Sequence, residues 1–216
     1  MMKLYGYWRS IAAYRVRIAC QLKGLTFESV AVDFCKEGGA QSSPSYSMIN
    51  PNKLVPTLVD GDRILNQSLA IIEYLDEAYP ERPLLPERPF DRAQVRALAY
   101  NLAMDCNPLN TERVGRYLEK ETKLNVTAIQ EWISYWLMQA FNGFELQIQH
   151  CAGHFCFGDQ ITLADLCLIP TYDDALRRGL DLSPFKRITD IAHHCYQIEA
   201  FNLARPERQN DAKNER

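Results

Sequence analysis

Between Val55 and Leu75 the chain is tied to a narrow set of folds. Pro56 stands at the mouth of a short apolar run, Thr57-Leu58-Val59, and Asp60-Gly61 supplies a turn that sends the chain back through Ile64-Leu65. Gln67 and Ser68 then open a helical pattern, Leu69-Ala70-Ile71-Ile72-Glu73-Tyr74-Leu75. Proline is tolerated at a strand's first residue, Asp-Gly suits a tight hairpin, and serine satisfies the bare amides of a helix start. The order strand, strand, helix follows. Its junctions can hold an extended peptide by the backbone at Val55 and a carboxylate at the helix start.

The residues upstream supply the complementary half. Lys3 to Tyr7 reads as a strand, and Ile11 to Leu22 has helical apolar spacing that ends at Gly24, a residue suited to a left-handed cap. Phe27 to Phe34 alternates as a second strand, so the first segment predicts a β-α-β unit. Residues 36–53, with Gly38-Gly39, Ser42-Ser43-Pro44 and Asn50-Pro51, predict a loose connection with room for one short helix. The sum is β-α-β followed by β-β-α.

Pro80, Pro83, Pro86 and Pro89 then break the pattern, and residues 79–89 read as a linker between a domain at 1–78 and one at 90–216. The second domain reads as helical throughout. A long helix is predicted from Asp91 to about Lys120, bent near Pro108, and another from Val126 to about His150 with Trp132, Trp136 and Phe141 near one apolar stripe. Thr162-Leu163-Ala164-Asp165 predicts a capping box, flanked by Ile161 and Leu166 as a hydrophobic staple. Its role is structural. The polar tail, Pro206 to Arg216, reads as disordered.

Composition excludes several classes. With 216 residues and 47% hydrophobic content the chain can bury one large core or two modest ones. A net charge of −3 without a basic block gives no electrostatic case for nucleic acid or anionic lipid. No apolar run approaches the ~18 residues of a membrane span, and Arg9 sits where a signal peptide needs its apolar centre. The seven cysteines (20, 35, 106, 151, 156, 167 and 195) are never spaced C-x-x-C and predict reduced thiols of a cytoplasmic protein. His150, His154, His193 and His194 lack metal-ligand spacing, so no metal is expected.

Taken together, Tyr7-Trp8-Arg9-Ser10, Arg15-Val16-Arg17-Ile18-Ala19, Leu22-Lys23-Gly24, Asn50-Pro51, Val55-Pro56-Thr57-Leu58, Gln67 to Leu75 and Gly158-Asp159 with Thr162 to Leu168 closely resemble the zeta-class glutathione transferases, which include maleylacetoacetate and maleylpyruvate isomerases. The likeness covers residues 3–205. It implies an α+β chain of the glutathione transferase fold: a thioredoxin-like N-terminal domain, an all-α C-terminal domain contributing the substrate pocket, and a homodimer. The implied activity is glutathione-dependent cis-trans isomerisation of a maleyl keto acid in aromatic amino-acid catabolism, with glutathione as cofactor.

Residue by residue, the resemblance places the glutathione sulfur at Ser10, its cysteinyl backbone at Val55, its γ-glutamyl carboxylate at Gln67 and Ser68, and its glycyl end at Gln41. Asn107, Thr111 and Arg113 match less specific cofactor positions. Arg9 and Arg177 match positions suited to substrate carboxylates, which guanidinium forks grip bidentately. Lowering a thiol from about 8.5 to about 6.5 takes roughly 2.7 kcal/mol, within reach of one or two charge-assisted hydrogen bonds. In that chemistry the thiolate adds to the cis double bond, the bond turns as a single bond, and the thiol departs from the trans product.

Bland readings exist for each residue alone: Ser10 and Gln67-Ser68 as helix caps, Pro56 as a turn, Arg177-Arg178 as complements to a helix end before Gly179. The family pattern Ser-Ser-Cys-Ser is here Ser10-Ile11-Ala12-Ala13, and the tryptophan that follows is Tyr14. Only the first hydroxyl is kept. Cys20 lies more than two helical turns past Ser10 and cannot replace the lost thiol. This departure leaves open a general glutathione transferase or peroxidase, and a non-catalytic glutathione-binding regulatory protein.

Overall fold

The computed structural model describes residues 1–34 and 39–215. Cys35 and Gly38, read above as a reduced thiol and part of a loose glycine pair, lie outside the described residues. Two compact units are present: Met1–Pro83 with Ile198–Arg216, and Leu84–Gln197.

The first unit is built on a four-stranded sheet of order β2-β1-β3-β4. β1 (Met2–Gly6) and β2 (Phe27–Ala31) are parallel and joined by α1 (Ile11–Leu22), since parallel neighbours require a crossover. β3 (Thr57–Asp60) pairs antiparallel with β1, and β4 (Arg63–Asn66) returns through a turn at Gly61, whose φ of 64° favours glycine. α3 (Ser68–Ala78) follows and packs on α1. β2 stops at Ala31, short of the predicted Phe34, because β1 offers no partner beyond Gly6 and Val32 takes that last carbonyl at 2.7 Å. The loose connection holds one 3-10 turn (Ala40–Ser42) and a short helix, α2 (Pro44–Ile49), capped by Ser43.

α1 ends as its sequence requires. Gly24 (φ 65°) lets Leu25 N–H reach Cys20 O at 2.9 Å and Gly24 N–H reach Gln21 O at 3.1 Å, the paired bonds of a Schellman motif. Beside it the buried Lys23 ammonium pairs with Asp76 at 2.9 Å and donates to the carbonyls of Tyr79 (2.7 Å) and Arg82 (3.0 Å). Arg82 in turn donates to Leu22 O at 3.0 Å. These bonds hold residues 79–82 against the end of α1. The apolar core comprises Leu4, Val16, Ile18, Leu58, Ile71, Ile72 and Leu75, all at most 2% exposed.

The second unit is helical apart from a single bridge at Ala152 and Gly158. The predicted long helix is broken. α4 (Pro89–Tyr100) passes into a π-helical stretch (Asn101–Cys106), a 3-10 turn (Asn107–Asn110) and a fresh start at α5 (Glu112–Thr122). Pro108 has no N–H and crowds the carbonyl of the preceding turn, so the helix widens and then stops. Thr111 is extended (φ −77°, ψ 151°) and its hydroxyl donates to Pro108 O at 3.1 Å.

α6 (Val126–Ile148) buries Ile129, Ile133, Leu137, Phe141, Phe144 and Ile148. Trp132 and Trp136 flank this stripe half-buried, with rings edge to face at 5.8 Å. α7 (Leu163–Arg177) is buried from Leu163 to Tyr172 and packs against α4, α6 and α8 (Lys186–Tyr196). Its capping box is present. The fully buried Asp165 carboxylate accepts from Thr162 N–H and Cys156 N–H, each at 2.8 Å, and from the Thr162 hydroxyl at 3.0 Å. Burial nevertheless raises its pKa from the ordinary value, the hydrogen bonds opposing that shift.

The tail departs from its expected disorder. α9 (Glu199–Ala204) packs on α1, and 3-10 turns follow at Pro206–Arg208 and Asn210–Glu215. Pro206 and Ala212 are buried, and Asp211 accepts from Trp8 N–H at 2.9 Å. Polar composition hid specific partners some 200 residues away. Among the described residues, no helix is long and apolar enough to cross a membrane.

Candidate functional site

Strand directions gather the expected cofactor residues. β1 and β2 finish at the sheet end where β3 begins and β4 finishes. Ser10 follows β1, Gln41 follows β2, Val55 precedes β3, and Gln67 and Ser68 follow β4. Tyr5 pairs with Thr57 and Thr57 with Asn66, so the segments after β1, before β3 and after β4 leave the sheet at the same end.

Ser10 is half-buried and caps α1 in extended backbone, its Oγ accepting from Ala13 N–H at 3.2 Å. Its hydroxyl proton is then available to an anion. Tyr14 N–H bonds Ser10 O at 2.9 Å, while the Ile11 and Ala12 N–H groups have no backbone partner among the described residues. They are the bare donors of a helix start, where partial positive charge also gathers. Of the three positions that lost hydroxyl or thiol side chains, Ile11 and Ala12 still present open amides here, while the Ala13 amide is taken by Ser10. Cys20 is buried and its thiol is pushed up to about 12, mainly by desolvation, which removes it as a nucleophile at neutral pH.

The Val55–Pro56 bond is cis, and no backbone hydrogen bond among the described residues engages Val55. Both its amide and its carbonyl can pair with a strand-like ligand. Gln67 is exposed and carries φ 71°, ψ 111°, a conformation that side-chain-bearing residues rarely adopt. Ser68 opens α3, 6% exposed, and accepts from Arg15 Nη1 at 3.4 Å. Arg15, 1% exposed, thus lays a buried cation against the start of α3. Gln41 Oε1 is buried without a hydrogen-bond partner among the described residues. The open Val55 backbone and the starts of α1 and α3 can receive an extended ligand, while Gln41 Oε1, an acceptor, calls for a donor.

Arg9 is exposed, its guanidinium 4.4 Å above the Trp8 ring. The remaining expected residues belong to the second unit. Asn107 and Thr111 are half-buried around the break after α4, and Arg113 is exposed on the first turn of α5. Arg177 ends α7, donating to the buried Asp174 at 2.7 Å; Arg178 donates to the other oxygen of that carboxylate at 2.7 Å and to Gln130 at 3.2 Å. Both arginines near the end of α7 are therefore paired with one buried carboxylate, and Arg178 has a further bond to Gln130.

Sequence spacing missed two associations. Arg17, 4% exposed, bridges the Tyr7–Trp8 backbone to Ala204, which no local pattern signals. His154 and His194 meet edge to face at 4.9 Å, with His154 bonded to Asp159 at 2.7 Å. Among the described residues no group of three or more His, Cys, Asp or Glu could hold a metal.

The sheet, the cis proline, the capped serine and the separate helical unit together describe a glutathione transferase architecture. The profile of the glutathione S-transferase N-terminal domain matches residues 4–83. A protein of Vibrio cholerae serotype O1, described as a probable maleylacetoacetate isomerase, is 45% identical over 209 residues, covering 97% of each chain. The holo structure of a maleyl pyruvate isomerase, a bacterial zeta-class glutathione transferase, superposes with a TM-score of 0.93 at 39% identity, covering 97% of this chain and 99% of that one. A maleylacetoacetate isomerase from Methylobacterium extorquens AM1, solved with bound malonate and glutathione, gives a TM-score of 0.92 at 38% identity, covering 96% and 97%. The chain belongs to the zeta-class glutathione transferase family that includes the maleylacetoacetate isomerases.

Proposed function

We propose that this protein is a glutathione-dependent cis-trans isomerase of a maleyl keto acid, of the maleylacetoacetate or maleylpyruvate type, with side activity as a transferase. The observation that carries the reading is the convergence at one sheet end of the unengaged Val55 backbone and the capped Ser10 hydroxyl. Relatives across nearly the whole chain bear isomerase names, and one was solved with bound malonate, a dicarboxylate, and glutathione.

In this reading residues 1–78 hold glutathione, residues 79–89 connect, and residues 90–216 contribute the substrate pocket. Val55 pairs with the cysteinyl unit, Gln67 and Ser68 take the γ-glutamyl carboxylate, and Gln41 takes the glycyl end. Asn107, Thr111 and Arg113 are secondary cofactor positions. Glutathione, when bound, supplies a thiolate that adds reversibly to the cis double bond. Ser10 donates its hydroxyl proton to the sulfur anion, and the Ile11 and Ala12 amides add positive field there. Arg9 and Arg177 hold the substrate carboxylates, fixing the geometry in which the double bond meets the sulfur.

Further parts of the reading have smaller supports. The six described cysteines are free thiols, in keeping with the cytoplasm. Phe90 and Met104, 70% and 57% exposed, offer apolar surface to a second copy in a homodimer. Catabolism of aromatic amino acids is the proposed setting.

The test mixes protein, catalytic glutathione and maleylacetone or maleylpyruvate and follows the cis enol absorbance. Its loss with glutathione conserved supports isomerisation. Consumption of glutathione supports a general transferase or peroxidase, the reading favoured by Ile11-Ala12-Ala13. Glutathione affinity without turnover of any kind supports a binding protein.

A further inference from the structure

Ser10 directly follows a tripeptide, Tyr7-Trp8-Arg9, whose backbone is held from the far end of the chain. Trp8 N–H donates to Asp211 at 2.9 Å, and Trp8 C=O accepts from Arg17 Nη2 at 3.1 Å. Both polar groups of one peptide residue are thus bound by charged side chains. Arg17 also donates through Nη1 to Tyr7 O at 3.5 Å and through Nε to Ala204 O, at the end of α9, at 3.0 Å. Tyr7 O accepts from Ser10 N–H as well, at 3.0 Å, which closes the turn on the serine. All these groups lie in the first compact unit.

The chemistry of the clamp is directional. Arg17 is buried to 4% exposure; burial lowers its pKa to about 10, and the nearby Tyr14, Asp211 and Glu207 oppose that shift while carbonyls accept its N–H groups. Asp211 therefore does two things: it binds the Trp8 amide and balances the cation that binds the Trp8 carbonyl. A hydrogen bond to a charged partner is about twice as strong as a neutral one, and this one acts on a backbone two residues from the candidate sulfur donor.

We infer that Asp211 is a positioning residue for the reaction: the C-terminal segment from Ala204 to Asp211, through Asp211 and Arg17, fixes the Trp8 peptide and with it the Ser10 hydroxyl against the sulfur. The inference rests on the proposed isomerase reading for its catalytic consequence, and on the structure alone for the clamp. No residue of this segment needs to touch substrate or glutathione.

The test uses full-length protein carrying Asp211→Ala or Asp211→Asn. Hydrogen–deuterium exchange of the peptide spanning residues 7–10 is measured without ligand, the pKa of bound glutathione by thiolate absorbance, and kcat and KM by the isomerase assay. Asp211→Ala is expected to speed exchange at Trp8, raise the bound thiol pKa by about one unit, and lower kcat about tenfold with KM for glutathione within about twofold. Asp211→Asn keeps an acceptor oxygen and is expected to restore part of each loss; if the alanine variant does not fold, the isosteric one decides. Unchanged exchange at Trp8 overturns the clamp. Faster exchange with unchanged thiol pKa and kcat overturns the positioning role. If the wild-type protein binds glutathione and ionises it but isomerises no maleyl acid, the thiol pKa alone decides the inference, and only the isomerase reading falls.

Discussion

Ser10 Oγ accepts from Ala13 N–H at 3.2 Å, so the hydroxyl caps the helix through a lone pair and keeps its proton for the sulfur that the proposed function places there. The two roles can be separated by substitution. Ser10→Ala removes both: stability falls by about 1 kcal/mol from the lost cap. The bound thiol pKa rises by one to two units for a charge-assisted bond of roughly 1.5–3 kcal/mol. Ser10→Thr keeps the cap and the proton, so its thiol pKa stays near wild type. Thiolate absorbance against pH, with unfolding midpoints alongside, checks this; equal pKa values in all three proteins remove Ser10 from the chemistry.

Gln67 is held at φ 71°, ψ 111° where α3 begins. Rare backbone conformations of this kind cost on the order of 1–3 kcal/mol and collect where a ligand is gripped. Gln67→Gly relieves that cost and deletes the amide proposed to hold the γ-glutamyl carboxylate. The expected result is a protein more stable by about 1 kcal/mol that binds glutathione at least tenfold more weakly. Denaturant titration and calorimetry decide it, and unaltered affinity would take Gln67 out of the cofactor site.

Much of this arrangement was legible in the sequence because its signals are local. α1 begins at Ile11 and ends at Leu22 where Ser10 and Gly24 said it would, whereas α3 spans 68–78 as expected but with no side-chain cap, Gln67 making no capping bond and Ser68 accepting from Arg15 instead. The break at 101–111 was not legible in full: a proline announces a disturbance, but whether the helix bends or unwinds into π and 3-10 turns depends on packing. The tail was misread for a different reason. Asp211 looks like any polar terminal residue until Trp8 and Arg17 are seen beside it. In the same way the Asp174 carboxylate, shared by Arg177 and Arg178, changes what those arginines can do without altering their pattern.

That shared carboxylate yields a contrast between neighbours. Asp174 is 5% exposed and bound by both guanidinium groups at 2.7 Å, so either arginine alone still neutralises it. Arg177→Ala is therefore expected to change stability by less than about 1 kcal/mol while raising KM for a maleyl acid tenfold or more, with glutathione affinity kept. Arg178→Ala, which also loses the bond to Gln130, should cost more stability and less substrate affinity. Steady-state kinetics with both ligands varied distinguishes them; equal KM effects in the two variants would assign Arg177 to the helix end alone.

The Cys20 thiol bears on stability in alkali. Burial lifts it from 9.0 to about 12 in the folded chain, while in the unfolded chain it titrates near the ordinary value. Between those values the native state holds the proton and the unfolded state has lost it. The contribution is therefore complete below pH 9 and declines as pH rises toward 12, at about 1.4 kcal/mol per unit within that window. Wild-type protein should lose unfolding free energy from pH 9 upward more steeply than Cys20→Ala, which starts lower because of the atoms removed from a packed site but lacks this slope. Denaturant midpoints at pH 7, 9, 10 and 11 compare the two curves. Parallel curves would mean that the Cys20 thiol is not shielded from water as its burial requires.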